Sequence, residues 1–431
     1  MKILCDSIVN PQKDILKNTS FSIVEDKVFL GRSSNPEENI VIKDAIALPG
    51  LINIHDHLKY SWYKRIGKSN KIGDNQLYYS NVYGWLEDLY KAFDHVFTRN
   101  RDELRIMFEL GLYKQIFSAT TTVLNHSRHS KNVLDVEKQY INIVENVEGE
   151  LVVQPFLISN ITSHPLSFGS SIKEAHGRAI TSTPRKAFMI HVSEGNDSNT
   201  KKEIQILDEL GVLSSETILV HCINTDTHDI KKISENKCSV VWCPYTSNFV
   251  IGKTANIEEM RENKINLCIG TDSSCSGSRN LLAELNYAKK IYNEHYRTQI
   301  SSSELFDMVT CNSAKALMLE DQIGKIADGF NADIAIVDRK SEDPYDDILS
   351  TNPENIIALW SKGVFIYGDQ SFLRTISEHE QVGIKYSEFS INGRKKAVIG
   401  NPRGLLDSFT DTFNIQEPIY FDFLPKDLQF S

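Results

Sequence analysis

A chain of 431 residues with 41% hydrophobic and 24% charged residues has the make-up of a soluble globular protein, which excludes the disordered, collagenous and membrane-spanning classes. Its formal net charge of -10 and pI near 5.7 offer no basic footprint for a phosphate backbone. Nucleic-acid binding is therefore excluded and a small-molecule ligand is expected.

No run approaches the ~20 apolar residues of a membrane span, so no membrane partner is expected. The seven cysteines are odd in number and mostly inside apolar runs, the usage of reduced thiols in a cytoplasmic protein. Cys238 and Cys243 flank Ser239-Val240-Val241-Trp242, which reads as a buried strand and not as a zinc cluster. The N-terminus reaches Asp6 and the Asn10-Pro11 pair before any apolar stretch of signal-peptide length.

In chain order, the first 47 residues alternate short β-rich pieces (21–24, 27–30, 39–42) with turn residues such as Gly31 and Asn35-Pro36. They are too few to bury a core alone, so partner strands are expected near the other end of the chain. The stretch Leu48-Pro49-Gly50-Leu51-Ile52-Asn53-Ile54-His55-Asp56-His57-Leu58 follows. On a strand His55 and His57 leave one face, close enough to share a metal ion, while Asp56 leaves the other.

Apolar residues at helical spacing predict helices over 76–98 and 102–118, the second leading into a strand at 119–124. Further apolar runs at 151–158, 187–190, 217–220, 238–242 and 265–269 alternate with polar stretches of helix length. This is the pattern of a parallel sheet, closed into a barrel or doubly wound. With the strand at 48–54 there are seven clear strands, and 163–168 is a weak eighth. The interval between 151 and His191 is short, so one βα unit is abbreviated there. A helix over 302–319, with Ser302 and Ser303 as caps and Glu304 in its first turn, precedes short strands at 323–326, 332–338, 356–360 and 364–367. The tail from 373 to 431 carries no readable motif.

Polar residues stand where strands end: His191 with Glu194 three residues on, His221, and Asp272 after Gly270-Thr271. Each alone has a structural explanation, as a hydrogen-bonded histidine or a turn aspartate. The set, together with His55 and His57, does not, because active sites of parallel barrels lie at the carboxyl ends of strands.

The run Pro49–Leu58 resembles the opening signature of the amidohydrolase superfamily. His191-Val192-Ser193-Glu194, Val220-His221-Cys222, Trp242-Cys243-Pro244-Tyr245-Thr246-Ser247-Asn248 and Gly270-Thr271-Asp272-Ser273 resemble the later motifs of its cytosine deaminase and chlorohydrolase-like branch, in order. The resemblance covers roughly residues 20 to 370. It implies an α/β fold with a TIM-like (β/α)8 barrel over 48–322. A small composite β-sandwich from 1–47 and 323–372 is implied beside it, leaving 373–431 as an extension without an assigned role.

It also implies one divalent metal, Zn²⁺ before Fe²⁺, bound by His55, His57, His191 and Asp272. Three neutral imidazoles and a carboxylate suit such an ion with a water in the open position, whose pKa falls towards ~7. In this resemblance Asp272 accepts the water's proton, Glu194 shuttles a proton to substrate nitrogen, and His221 polarises the group under attack. His126, His164, Tyr60 and Trp62 are candidate substrate contacts, with Lys59 and Arg65 as further lining residues; His129 is a weaker candidate. The expected activity is hydrolysis of a C–N bond by metal-activated hydroxide: deamination of a small amino-substituted heterocycle or amidine-like substrate. The alternatives are hydrolysis of a cyclic or linear amide, and an inactive barrel used as a binding module. The expected assembly is a homo-oligomer, in the first instance a dimer.

Overall fold

Two of the N-terminal β-rich pieces are neighbours in sequence, and a tight local turn costs far less entropy than a partner hundreds of residues away. In the computed structural model, which describes residues 2–31, 39–61, 64–68, 77–93, 100–126, 142–144, 165–377, 384–414 and 429–430, they pair with each other. The first seven strands are β1 (Lys2–Leu4), β2 (Ser7–Val9), β3 (Ile15–Lys17), β4 (Ser20–Val24), β5 (Lys27–Gly31), β6 (Asn39–Val41) and β7 (Ala45–Pro49). Four of them form a sheet in the order β5-β4-β1-β6. The strands at 21–24, 27–30 and 39–42 thus find partners locally, and it is β7 that pairs with a strand from the far end of the chain, with β2 and β3 added on its other side.

Gly50 splits the apolar run at 48–58 between two sheets. A Cβ there would lie 2.2 Å from Thr121 Oγ1, so only glycine permits the close passage. On its far side begins β8 (Leu51–Asp56), which pairs in parallel with β9 (Thr120–Asn125), itself paired with β10 (Asn142–Val144). A second parallel sheet holds β11 (Phe188–Val192), β12 (Thr217–His221), β13 (Ser239–Trp242) and β14 (Asn266–Ile269) in sequence order. These strands are almost entirely buried, as near-continuous apolar runs in covered parallel sheets are. Helices intervene at Arg101–Ile116, Pro165–Thr181, Glu203–Glu209, Thr227–Glu235 and Ile257–Glu262.

The last strands are β15 (Ile334–Asp338), β16 (Ile356–Ser361), β17 (Val364–Asp369), β18 (Tyr386–Ile391), β19 (Arg394–Ile399) and β20 (Gln429–Phe430). With β7, β2 and β3 they make a sheet in the order β20-β18-β19-β17-β16-β15-β7-β2-β3. The tail without a readable motif therefore contributes β18 and β19. Asn392 and Gly393 join them with φ of 49° and 81°, the pair of left-handed residues that a two-residue hairpin demands.

Four sequence-derived elements need correction, the first being the strand expected at 323–326, which is a bend between the helix Cys311–Ala316 and β15 (Ile334–Asp338). Residues 165–168 of the weak eighth strand open the helix Pro165–Thr181, because a proline ring fixes φ in the helical range and suits a first turn. The helix over 76–98 is observed as Val82–Phe93. The helix over 302–319 is two helices, Ser302–Met308 and Cys311–Ala316. Its cap is Ser301, which closes a capping box with Glu304, since that motif sets the carboxylate three positions after the cap. The strand at 151–158 lies outside the described residues.

Candidate metal and proton-transfer site

The site is assembled where β8, β11, β12 and β14 end. Ser193, His221, Cys222 and Asp272 have φ of 54°, 74°, 51° and 56°, a left-handed conformation that costs a non-glycine residue roughly 1–3 kcal/mol. Elsewhere in the chain such residues are mostly at exposed turns; here all four are buried. The turns they make point His221, Glu194 and Asp272 back towards the end of β8. Gly270 lets β14 come close to β8: a Cβ on it would meet His55 Cβ at 2.6 Å. The two segments are joined by Asp272 N–H donating to His55 O at 3.0 Å.

His57 Nε2 lies 3.4 Å and His55 Nε2 3.7 Å from Asp272 Oδ1. Donor atoms about 2.0–2.2 Å from a shared zinc ion are separated by roughly 3–4 Å, so these three residues fit one divalent ion. His55 Nδ1 is 3.3 Å from His126 Nδ1. One of these two nitrogens donates to the other, which leaves His55 Nε2 as the atom facing Asp272. His191 joins a compact group with His55 and His126, its ring 4.8 Å from that of His55. Among the described residues, His55 Nε2, His191 Nδ1 and both nitrogens of His221 are buried without a hydrogen-bond partner. Buried polar atoms are rarely left so, and a cluster of them facing one another fits a ligand-binding role.

On the far side of the site, His221 Nε2 is 3.5 Å from Glu194 Oε2 and 4.0 Å from Asp272 Oδ2. Burial is the largest influence on the imidazoles: it lowers His57 to about 4, lowers His221 to about 3, and, with the neighbouring histidines, holds His191 well below its ordinary value. All three are neutral near pH 7, the state in which an imidazole binds metal. Burial alone would raise Asp272, but the imidazoles of His55, His57 and His221 around it hold its carboxyl below the ordinary range. Glu194 goes the other way, pushed well up by burial and by the carboxylates of Asp272 and Glu203. Two carboxyls in one pocket, one held down and one pushed up, can divide base and acid roles between them.

The loop carrying Glu194 is braced from below. Ser193 N–H donates to Glu203 Oε2 at 2.5 Å, Tyr83 OH donates to Glu203 Oε1 at 3.2 Å, and Val82 N–H donates to Glu194 O at 3.1 Å. Asp56 points away from the site, as strand alternation requires, into hydrogen bonds with Lys114 and Gln115.

Of the sequence-derived lining residues, Tyr60 stands beside the site, its ring 6.3 Å from that of His57. Lys59 lies over the Tyr60 ring at 4.7 Å. Arg65 packs its guanidinium over Tyr245 at 4.3 Å and donates to Gly277 O at 3.2 Å. His126 is against His55, which makes it a neighbour of the candidate metal ligands. Trp62, His129 and His164 lie outside the described residues. Sequence reasoning gave no role to Glu203, Lys114, Gln115 or the Thr271 side chain, whose local sequence signals only a helix or a turn.

Comparisons with known proteins find similarity over most of the chain. A model described as "Amidohydrolase family" matches residues 171–366. A 5-methylthioadenosine/S-adenosylhomocysteine deaminase of Clostridium tetani is 25% identical over 393 residues, covering 81% of this chain and 89% of the relative. Among solved structures, the atrazine chlorohydrolase of Arthrobacter aurescens complexed with zinc is similar with a TM-score of 0.67 at 17% identity, covering 85% of this chain and 94% of that one. The guanine deaminase of E. coli is similar with a TM-score of 0.66 at 17% identity, covering 85% and 99%. No described helix is long and apolar enough to cross a membrane.

Proposed function

The chain belongs to the amidohydrolase superfamily, and from that premise we propose that it is a metal-dependent aminohydrolase releasing ammonia from an amino-substituted purine-like heterocycle. Adenine nucleosides altered at the 5′ position are the substrates to try first, because the similarity to a deaminase of that class extends over most of both chains. His55, His57, His191 and Asp272 are assigned as ligands of one divalent ion, zinc in preference to iron. Such an ion supplies Lewis-acid activation of a water molecule.

The chain's own groups then handle protons. Asp272, kept ionised, accepts the proton of the attacking water. Glu194, whose carboxyl burial pushes towards the protonated form, gives its proton to the ring nitrogen beside the carbon under attack and afterwards helps the amino group leave as ammonia. His221 hydrogen-bonds the oxygen being added to that carbon. The observation that carries this reading is the 3.5 Å approach of His221 Nε2 to Glu194 Oε2, with Asp272 Oδ2 4.0 Å beyond. It puts an acid, a donor and a base around one point, their ligand atoms all within 4.8 Å of one another. Tyr60 and Trp62, with His164, are kept as candidate substrate contacts.

For the fold, we read the two parallel sheets as parts of one (β/α)8 barrel over 48–322 with an abbreviated unit before His191. The Asp272–His55 backbone bond that links the end of β14 to β8 supports this. The composite β-domain takes 1–47 and 323–372, and the strands of the 373–431 extension lengthen its sheet. A cytoplasmic homodimer is the expected working form, in keeping with seven free cysteines; light scattering on purified protein tests the dimer.

Zinc-loaded protein offered 5′-substituted adenosines, guanine, pterins, triazines and pyrimidines tests the activity. Ammonia formed with a matching carbonyl product supports deamination. Ring opening of a cyclic amide without ammonia would replace it by the amidase reading.

A further inference from the structure

A lysine taken out of water is costly to keep charged, and a buried ion pair adds little net stability over an apolar pair of equal volume. Lys114 and Asp56 nevertheless pair at 2.8 Å with relative exposures of 3% and 0%. Stability is a poor reason for such a pair, and its position in the fold supplies a better one.

Asp56 is the residue between His55 and His57, and its side chain leaves the opposite face of β8. Its Oδ2 accepts from Lys114 Nζ at 2.8 Å, Gln115 Nε2 at 2.9 Å, Thr271 Oγ1 at 3.0 Å and Asn53 Nδ2 at 3.1 Å. Thr271 immediately precedes Asp272. Its N–H donates to Asn53 Oδ1 at 3.1 Å and its hydroxyl also accepts from Asn53 Nδ2 at 2.8 Å. A single carboxylate oxygen thus ties together the end of β8, the helix Arg101–Ile116 and the turn that carries Asp272.

We propose that the Asp56–Lys114–Thr271 network is a positioning device for the metal site, fixing the separation between the His55/His57 pair and Asp272 from behind the strand. The inference rests on the assignment of those three residues as metal ligands and is independent of which substrate the site takes. The hydrogen bonds to the Asp56 carboxylate all fall on Oδ2, while among the described residues its Oδ1 is buried without a hydrogen-bond partner, so the tie between the segments runs through one oxygen. Buried polar contacts of this kind favour one geometry where apolar packing would allow several, and metal ligands depend on such outer contacts for orientation. Asp56, Lys114 and Thr271 are positioning residues here, each acting through a neighbour.

The test measures zinc affinity by chelator competition on the intact chain, with circular dichroism and thermal unfolding of the metal-stripped protein as folding controls. The double variant Asp56→Leu/Lys114→Met removes the shared oxygen together with both charges. It is expected to fold with an unchanged apo midpoint and to bind zinc about 10–100-fold more weakly. Asp56→Asn/Lys114→Met returns an acceptor oxygen without the charge and is expected to recover affinity to within about threefold of wild type. Thr271→Val, nearly the same shape, is expected to weaken zinc about tenfold through Asp272 alone.

The proposal is overturned if the folded leucine pair and Thr271→Val both bind zinc within about twofold of wild type. An asparagine pair as weak as the leucine pair also overturns it, since the effect would then belong to charge and not to the tether. Should the leucine pair not fold, Thr271→Val decides, with unchanged affinity counting against the network. Wild-type protein that binds no zinc removes the premise and the proposal with it. Ammonia release is not read, so an error about the substrate leaves this result untouched.

Discussion

Replacing Glu203 by glutamine is expected to change how stability depends on pH. This carboxyl is 3% exposed, and burial raises it from its ordinary 4.5 to about 8, against the lowering effect of the hydrogen bonds from Ser193 and Tyr83. A carboxyl whose folded value lies above its unfolded one binds more protons folded than unfolded. The stability it contributes is therefore complete below about pH 4.5 and is lost as pH rises through about 8. Between about pH 6 and about pH 9 the loss amounts to roughly 2–3 kcal/mol. Glu203→Gln keeps the shape and an acceptor for the Ser193 N–H, while Tyr83 OH can turn to accept from the amide. The variant has no proton to lose over that range. The assay is urea unfolding of wild type and variant at both pH values, read as the difference in midpoint so that other titrating groups cancel. Wild type is expected to weaken relative to the variant as pH rises. A difference that stays constant from pH 6 to pH 9 would refute the claim that burial holds this carboxyl protonated.

Two further outcomes follow from the site's geometry. Asp272→Asn neutralises the candidate ligand 3.4 Å from His57 and 3.7 Å from His55, so bound metal measured by elemental analysis after gel filtration is expected to fall at least tenfold relative to wild type, on the order of the losses seen when ligand shells are disturbed. Gly270→Ala places a Cβ 2.6 Å from that of His55; a cost of about 1–3 kcal/mol in stability is expected from such overpacking, together with weaker metal retention. Thermal unfolding and metal analysis read both, and a Gly270→Ala protein equal to wild type would show that β14 can move away from β8.

The elements most legible in the sequence were those with one dominant signal. Continuous apolar runs located β11 to β14 within a residue or two, because strands buried on both faces leave no room for alternation. The two histidines at the end of β8 were legible because strand alternation alone sets them on one face. The site's remaining contacts were not. Lys114 and Gln115 lie in a helix whose pattern signals only helix, and nothing local ties them to Asp56, 58 and 59 residues away. Glu203 reads as an ordinary first-turn acid until the fold sets it under Ser193. The hairpin of β18 and β19 was a different case, since Asn392-Gly393 between alternating residues is a readable turn signal that went unused. The residues at 165–168 misled because a short apolar piece has no period long enough to separate strand from helix, and Pro165 was the better guide.

The central claim is that a divalent metal and the Glu194 carboxyl act together to release ammonia. Its most direct test is to compare zinc-loaded wild type, chelator-stripped wild type and zinc-loaded Glu194→Gln on one amino-substituted heterocycle, measuring ammonia and bound metal in the same samples. Stripped protein is expected to be inactive and to recover on adding zinc. Glu194→Gln is expected to keep its metal and lose activity by about 10²–10⁴-fold, the contribution of a placed proton donor. Ammonia release that persists in the stripped protein, or a Glu194→Gln protein that has lost its metal, would contradict the account.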